Sequence, residues 1–182
     1  MKLLSLFVIF TIMVAISYAQ GSFSNGEDVI IATGRMPNIT KDINNDVHIV
    51  YGTGDSIMYV SYTNQGKSFS LPVLVDVLPK VFATAMRGPQ ITSTANGLTI
   101  TANTTYGNIY AYHRERAGNW SKATKVNDLD SVSKEALMSL SADGLNAFAV
   151  WLDTRENNGK GQRLYGAQSK DGGKTWSKNI LV

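Results

Sequence analysis

Apolar positions along the chain recur in short runs, set apart by clusters of Gly, Asn, Asp and Ser. That pattern predicts strands and turns, and beyond the N-terminal segment nothing sustains a helical period. The strands fall into three similar groups. In the first, residues 37–40 form an inner strand whose proline suits an edge. Ile43-Asn44-Asn45-Asp46 supplies a turn. Residues 47–51 are nearly all apolar and read as a strand buried on both faces. Gly52-Thr53-Gly54-Asp55 is a loop, residues 56–63 a third strand and residues 70–75 a fourth. In the second group, Gly88-Pro89-Gln90-Ile91-Thr92 parallels Met36-Pro37-Asn38-Ile39-Thr40. Asn96-Gly97 marks a hairpin turn, and residues 98–103, 108–116 and 119–126 are strands. In the third, residues 136–141, 146–152, 162–168 and 174–182 are strands, with a turn at Asp143-Gly144 and a long polar loop at 153–161. Residues 29–32 form one more short apolar strand ahead of these groups.

The N-terminal segment has a different character. Lys2 precedes an apolar stretch at 3–16, and Ser17-Tyr18-Ala19 is a small-x-small cleavage site. This predicts a signal peptide over 1–19, a polar linker over 20–28 and a domain over 29–182, secreted or periplasmic. The apolar stretch is shorter than the roughly 20 residues that a membrane span needs, so no stable membrane anchor is expected. There is no cysteine, which removes disulfides, thiolate metal sites and a lipoprotein anchor. A net charge of +3 without any Lys/Arg run argues against nucleic acid as a partner. No cofactor or metal is expected: His48 and His113 stand alone in strands, and Asp128 and Asp130 are too sparse for a calcium loop. Asn38, Asn103 and Asn119 open glycosylation sequons, relevant in a eukaryotic secretory route.

One motif organises the rest. Ser169-Lys170-Asp171-Gly172-Gly173-Lys174-Thr175-Trp176 places turn-bonding side chains and two glycines before an aromatic anchor. Tyr62-Thr63-Asn64-Gln65-Gly66-Lys67-Ser68-Phe69 repeats its register with Asn64 for Asp and Phe69 for Trp, and a worn copy ends at Gly118-Asn119-Trp120-Ser121. Phe69, Trp120 and Trp176 are 51 and 56 residues apart, close to the period of propeller blades. The pattern Ser-x-Asp-x-Gly-x-Thr-Trp resembles the Asp box, or BNR repeat, of the sialidase-like β-propellers. The resemblance covers residues 29–182. It implies an all-β fold: a partial β-propeller of about three four-stranded antiparallel blades, half of a six-bladed ring. It also implies that residues 29–32 complete a closing blade.

The sialidase-like family hydrolyses terminal sialic acid with three carboxylate-gripping arginines, an aspartate acid/base and a tyrosine nucleophile with a glutamate partner. Arg35-Met36-Pro37 is similar to the family's Arg-Ile-Pro motif, with Met for Ile, and makes Arg35 a candidate substrate-binding residue. Asp55 stands where the family carries its acid/base. The second arginine often found just before that aspartate is absent from Tyr51-Gly52-Thr53-Gly54. Asp153 and Arg155, at another strand-to-loop junction, could bind a polar ligand on the same rim or bridge one another. Arg87 is the second-group counterpart of Arg35, and such repetition suits a structural role for both. Two function classes follow. One is a secreted exo-alpha-sialidase-like glycoside hydrolase, of which this is an inactive N-terminal part. The other is a non-catalytic propeller that binds glycan or a cell-surface protein. Three blades leave a ring open, and two copies of the chain would close six by homodimerisation.

Overall fold

The computed structural model describes residues 28–156 and 161–182. The expected signal peptide, residues 20–27 of the linker and part of the 153–161 loop lie outside the described residues. The architecture is three antiparallel sheets, each with its strands in chain order. The first holds β1 (Arg35–Lys41), β2 (Val47–Thr53) and β3 (Ser56–Thr63), followed by β4 (Ser68–Phe69) and β5 (Val73–Val77). β4 and β5 both pair with β3, at Tyr62–Thr63 and at Ser56–Tyr59 respectively. They are one outer strand interrupted around Pro72, which has no N–H to offer a ladder. The second sheet is β6 (Gln90–Thr94), β7 (Gly97–Asn103), β8 (Ile109–Glu115) and β9 (Thr124–Lys125). The third is β10 (Met138–Asp143), β11 (Asn146–Asp153), β12 (Arg163–Ser169) and β13 (Ile180–Leu181). This is a partial β-propeller of three blades, as the motif spacing implied.

Several details depart from expectation. Residues 29–32 form no strand, and Ile30 is 90% exposed. The sheet edge such a strand would join is not among the described residues. Ile31 and Ala32 instead line an apolar hollow with Ile49 and Tyr51 on the free face of the first blade. The expected loop at 52–55 shrinks to a two-residue turn, Gly54-Asp55, with Gly54 at φ 57°. The Asn96-Gly97 turn shifts by one residue: Ala95 and Asn96 make the turn, and Gly97 opens β7 opposite Thr94. Gly97 is required for clearance, not conformation, since a Cβ there would sit 1.9 Å from the Arg114 carbonyl oxygen. The outer strands at 119–126 and 174–182 contract to the two-residue β9 and β13.

The core lies between the blades. Alternation along each second strand sends one set of side chains to the preceding blade and the other to the following one. Val50, Ile57 and Tyr59 of the first blade pack against Ile91, Leu98, Ile100 and Tyr112 of the second. Ile109, Ala111 and Val126 of the second pack against Ala149, Trp151, Tyr165 and Ala167 of the third. Among the described residues only the middle blade is covered on both sides, and every residue of β7 is buried. β2 was expected to be buried on both faces; His48, Val50 and Tyr51 are buried, but Val47 and Ile49 are only half-buried. Leu164, 40% exposed on the free side of the third blade, stays partly open to solvent.

The Ser169–Trp176 turn locks the second seam. The Asp171 carboxylate accepts from the N–H groups of Lys174 and Thr175 at 3.1 and 2.9 Å and from the Thr175 hydroxyl at 2.6 Å. The Ser169 hydroxyl accepts from Gly173 N–H at 2.8 Å and donates to Asp171 at 2.8 Å. Gly172 and Gly173 sit at φ 74° and 87°, pressed on the second blade. A Cβ on Gly173 would lie 2.4 Å from the Thr99 side chain. Thr99 Oγ1 donates to the Gly172 carbonyl at 2.8 Å. The earlier copy keeps the aromatic contact, with the Tyr62 and Phe69 rings 5.1 Å apart. Its Asn64 side chain makes no hydrogen bond among the described residues; only the Asn64 N–H does, to Asp46. The substitution of Asn for Asp therefore loses the role that the turn needs.

Burial opposes ionisation of Asp171, but the bonds from Thr175, Ser169 and Lys174 outweigh it and hold its pKa at about 2. A carboxylate depressed in the folded state adds stability above its unfolded pKa of about 3.9, and loses it as pH falls toward the folded value. Asp171→Asn is expected to cost about 1–2 kcal/mol at pH 7, allowing for solvent screening. That difference should vanish between about pH 4 and pH 2, which urea midpoints at a series of pH values would follow. Gly97→Ala should cost about 3 kcal/mol through overpacking against the Arg114 backbone, and urea unfolding at neutral pH measures it.

Candidate rim site

By strand direction, one rim of the structure carries the starts of β1, β6 and β10, the β2–β3 turn and the loop after β11. Arg35 opens β1 opposite Gly52. Met36 then takes a left-handed φ of 53°, and the register with β2 slips between Arg35 and Asn38. This bulge leaves Arg35 exposed. It makes no hydrogen bond or ion pair among the described residues. It borders a cleft of about 550 Å³ whose wall includes Gly52, Gly54, Ala83 and Thr84. Gly52 keeps this wall thin, since a Cβ there would lie 2.3 Å from that of Ala83.

Asp55 is on the same rim, in the turn next to Gly54, but its groups are engaged. Its carboxylate accepts from Lys80 N–H at 2.9 Å, and its carbonyl accepts from Leu78 N–H at 2.8 Å. These bonds tie the β2–β3 turn to the connection between blades. Arg87 differs from its counterpart Arg35. It pairs with Glu135, in the connection between the second and third blades, at 3.1 Å, donates Nε–H to the Glu135 carbonyl and donates to the Ala85 carbonyl at 3.0 Å.

Asp153 and Arg155 are brought together, and to each other. Asp153 is only 1% exposed. It accepts from Trp151 Nε1–H at 2.8 Å and from Arg155 through Nε–H and Nη2–H, both at 2.9 Å. Arg155 also donates to Asp128 at 2.9 Å and to Asn179 at 2.8 Å. Its guanidinium lies over the Tyr165 ring, 4.2 Å from the centroid. Burial works against the Arg155 charge, yet the bonds and charges of Asp153 and Asp128 raise its pKa. The backbone N–H groups of Asp128 and Asn179 each donate to the other's side-chain oxygen as well, closing the seam between the second and third blades. This is a latch in which nearly every donor of Arg155 is spent.

Other side chains escaped sequence reasoning. Asn38 accepts from Ile91 N–H at 2.9 Å and donates to Gln90 at 3.2 Å, stitching the inner strands of two blades. Asn103 is 2% exposed and donates to the Ser133 hydroxyl at 2.7 Å. Of the three sequon asparagines, Asn119 is the exposed one. At the opposite rim, His48, Tyr59, Arg114 and Trp120 gather although they lie far apart in sequence. Burial lowers the His48 pKa against the pull of Asp42. Spacing gives no hint of this cluster. Among the described residues, no group of three or more His, Cys, Asp or Glu side chains could hold a metal ion, and no helix is long and apolar enough to cross a membrane.

No protein-family model matches the chain, and no curated protein matches it. Solved structures do. An alpha-L-arabinofuranosidase of Fusarium graminearum in complex with an iminosugar inhibitor aligns with a TM-score of 0.53 and 14% identity, over 81% of this chain and 48% of its own. An alpha-L-arabinanase of Penicillium chrysogenum complexed with arabinobiose aligns with a TM-score of 0.51 and 15% identity, over 85% of this chain and 50% of its own. The chain thus spans about half the length of the solved structures it matches, and what it shares with them is the β-propeller fold.

Proposed function

We propose that the chain is one half of a secreted or periplasmic propeller that acts on glycans as a glycoside hydrolase. The observation that carries this reading is Arg35: an exposed arginine whose side chain has no partner among the described residues, held by a bulge beside a cleft at the rim of the blades. Arginine suits an anionic sugar because its planar fork meets a carboxylate bidentately. The finer assignment, an exo-alpha-sialidase type, rests on Arg35-Met36-Pro37 and on the Ser169–Trp176 motif. In it Arg35 grips the substrate carboxylate and Asp55 is the acid/base candidate at the same rim. The names of the matched structures, an arabinofuranosidase and an arabinanase, support the broader class on the same fold. The remaining catalytic groups would come from blades beyond these three, so the chain alone would not turn over substrate.

A second reading is favoured by a specific observation. Arg87 is consumed by Glu135, Asp153 by Trp151 and Arg155, and Arg155 also by Asp128 and Asn179, as suits a rim built for rigidity. A propeller that binds glycan or a cell-surface protein without cleaving it would look the same there.

Fluorogenic sialoside and arabinofuranoside hydrolysis by the full secreted protein separates these. Under the sialidase-type assignment the sialoside is cleaved, and Arg35→Lys lowers kcat/KM by about 100-fold, roughly 2.7 kcal/mol of transition-state binding. Equal rates for wild type and Arg35→Lys would remove Arg35 from the site. Cleavage of the arabinofuranoside alone would keep the glycoside hydrolase and discard the sialidase type. Turnover of neither would leave the binding reading.

A further inference from the structure

A second concavity, of about 240 Å³, lies at the other rim, where the turns of the first two blades meet. It approaches the lower end of ligand pockets, roughly 300 Å³. His48, Tyr59 and Arg114 contribute to its wall. Arg114 donates to the Tyr59 hydroxyl at 3.0 Å. Its guanidinium carbon lies 4.6 Å from the Tyr59 ring centroid and 5.2 Å from that of Trp120. These two rings meet edge to face, 5.3 Å apart. Tyr59 is fixed in turn by His48 Nδ1, 2.7 Å from its hydroxyl.

What Arg114 lacks is an anion. Among the described residues Arg114 has no carboxylate within ion-pair distance, and its Nε–H is buried without an acceptor. His48 is 7% exposed, and its Nε2 is likewise without a hydrogen-bond partner. Three acids, Asp42, Asp46 and Glu115, also line the wall, and each is engaged by other groups. Asp42 accepts from the N–H groups of Asn44 and Asp46, both at 2.9 Å, and stands within ion-pair distance of His48 Nε2, at 3.6 Å. Asp46 accepts from Asn64 N–H at 2.8 Å, and Glu115 pairs with Lys174 at 2.6 Å. Arg116, also at the wall, donates to the Ala95 carbonyl at 2.9 Å. A partly buried guanidinium without a counter-charge is costly, and an incoming anion would relieve that cost. We propose that this cleft between the first two blades binds a small carboxylate-bearing ligand, of the size of an acidic monosaccharide, through Arg114 held on the Tyr59–Trp120 shelf. It lies at the rim opposite Arg35 and stands whether or not the glycosidase reading holds.

The test is titration of the isotopically labelled full chain with D-glucuronate, acetate and methyl glucoside, read at the Arg114 Nε–H and Trp120 indole N–H resonances. Glucuronate and acetate should shift both signals saturably, and methyl glucoside should not. Arg114→Lys, which keeps the charge and loses the planar fork, should weaken glucuronate binding at least tenfold. Should that variant fail to fold, the comparison of acetate with methyl glucoside on the wild-type chain still decides. Absence of a saturable shift, an equal response to methyl glucoside, or unchanged affinity in folded Arg114→Lys would each overturn the proposal.

Discussion

A twisted sheet has two faces, and among the described residues only the middle sheet has a neighbour on each. That single constraint arranges the rest. β7 sends Leu98, Ile100 and Ala102 into the first seam and Thr99, Thr101 and Asn103 into the second, and all six are buried. Burial of side chains such as Ile100 or Trp151 is worth about 1.5–3 kcal/mol each, against about 1 kcal/mol for a typical hydrogen bond. The apolar contacts therefore hold the blades together, and the polar ones set how they sit. In the second seam Thr99 meets the Gly172 carbonyl and Asn103 meets Ser133. In the first, Asn38 meets Gln90 and Ile91. Each of these bonds would be lost if one blade slid against the next, and a buried amide or hydroxyl left unpaired is expensive.

The two rims divide the remaining polar chemistry unequally. The latch of Asp153, Arg155, Asp128 and Asn179 is closed on itself, as is the pair of Arg87 and Glu135. Arg35 and Arg114 are different: one is exposed beside a cleft, and the other is half-buried on aromatic rings, and neither has an acidic partner among the described residues. Rigid seams that present unspent guanidinium groups at their ends suit a scaffold that recognises anions.

The fold was largely legible in the sequence because its signals are local. Turn residues, alternating apolar positions and the recurring Ser169–Trp176 pattern report on short range, and the strands of all three blades follow from them. Local signals also account for the errors. Asn96-Gly97 looks like a turn pair, but Gly97 is there to clear the Arg114 backbone, a long-range reason invisible in the dipeptide. Residues 29–32 have the composition of a strand but no sheet edge beside them. The rim was half legible: Arg35 and Asp55 could be pointed to from neighbouring motif residues. Their difference, one free and one bonded to Lys80 N–H, depends on a connection 25 residues away. The cluster of His48, Tyr59, Arg114 and Trp120 was not legible at all, because its members come together only when two blades pack.

On the third blade the face turned away from the second is apolar. Phe148, Val150 and Leu152 point away from the second blade and are half-buried, and Leu164 beside them is 40% exposed. Apolar surface left open in this way marks an interface. The native mass of the secreted protein from its own host, by light scattering and intact mass spectrometry, is the direct measurement. A species of about twice the mass of residues 20–182, or more, is expected, whether from further blades on one polypeptide or from two paired copies. A folded monomer of the chain's own mass, with both outer faces open to solvent, would contradict it.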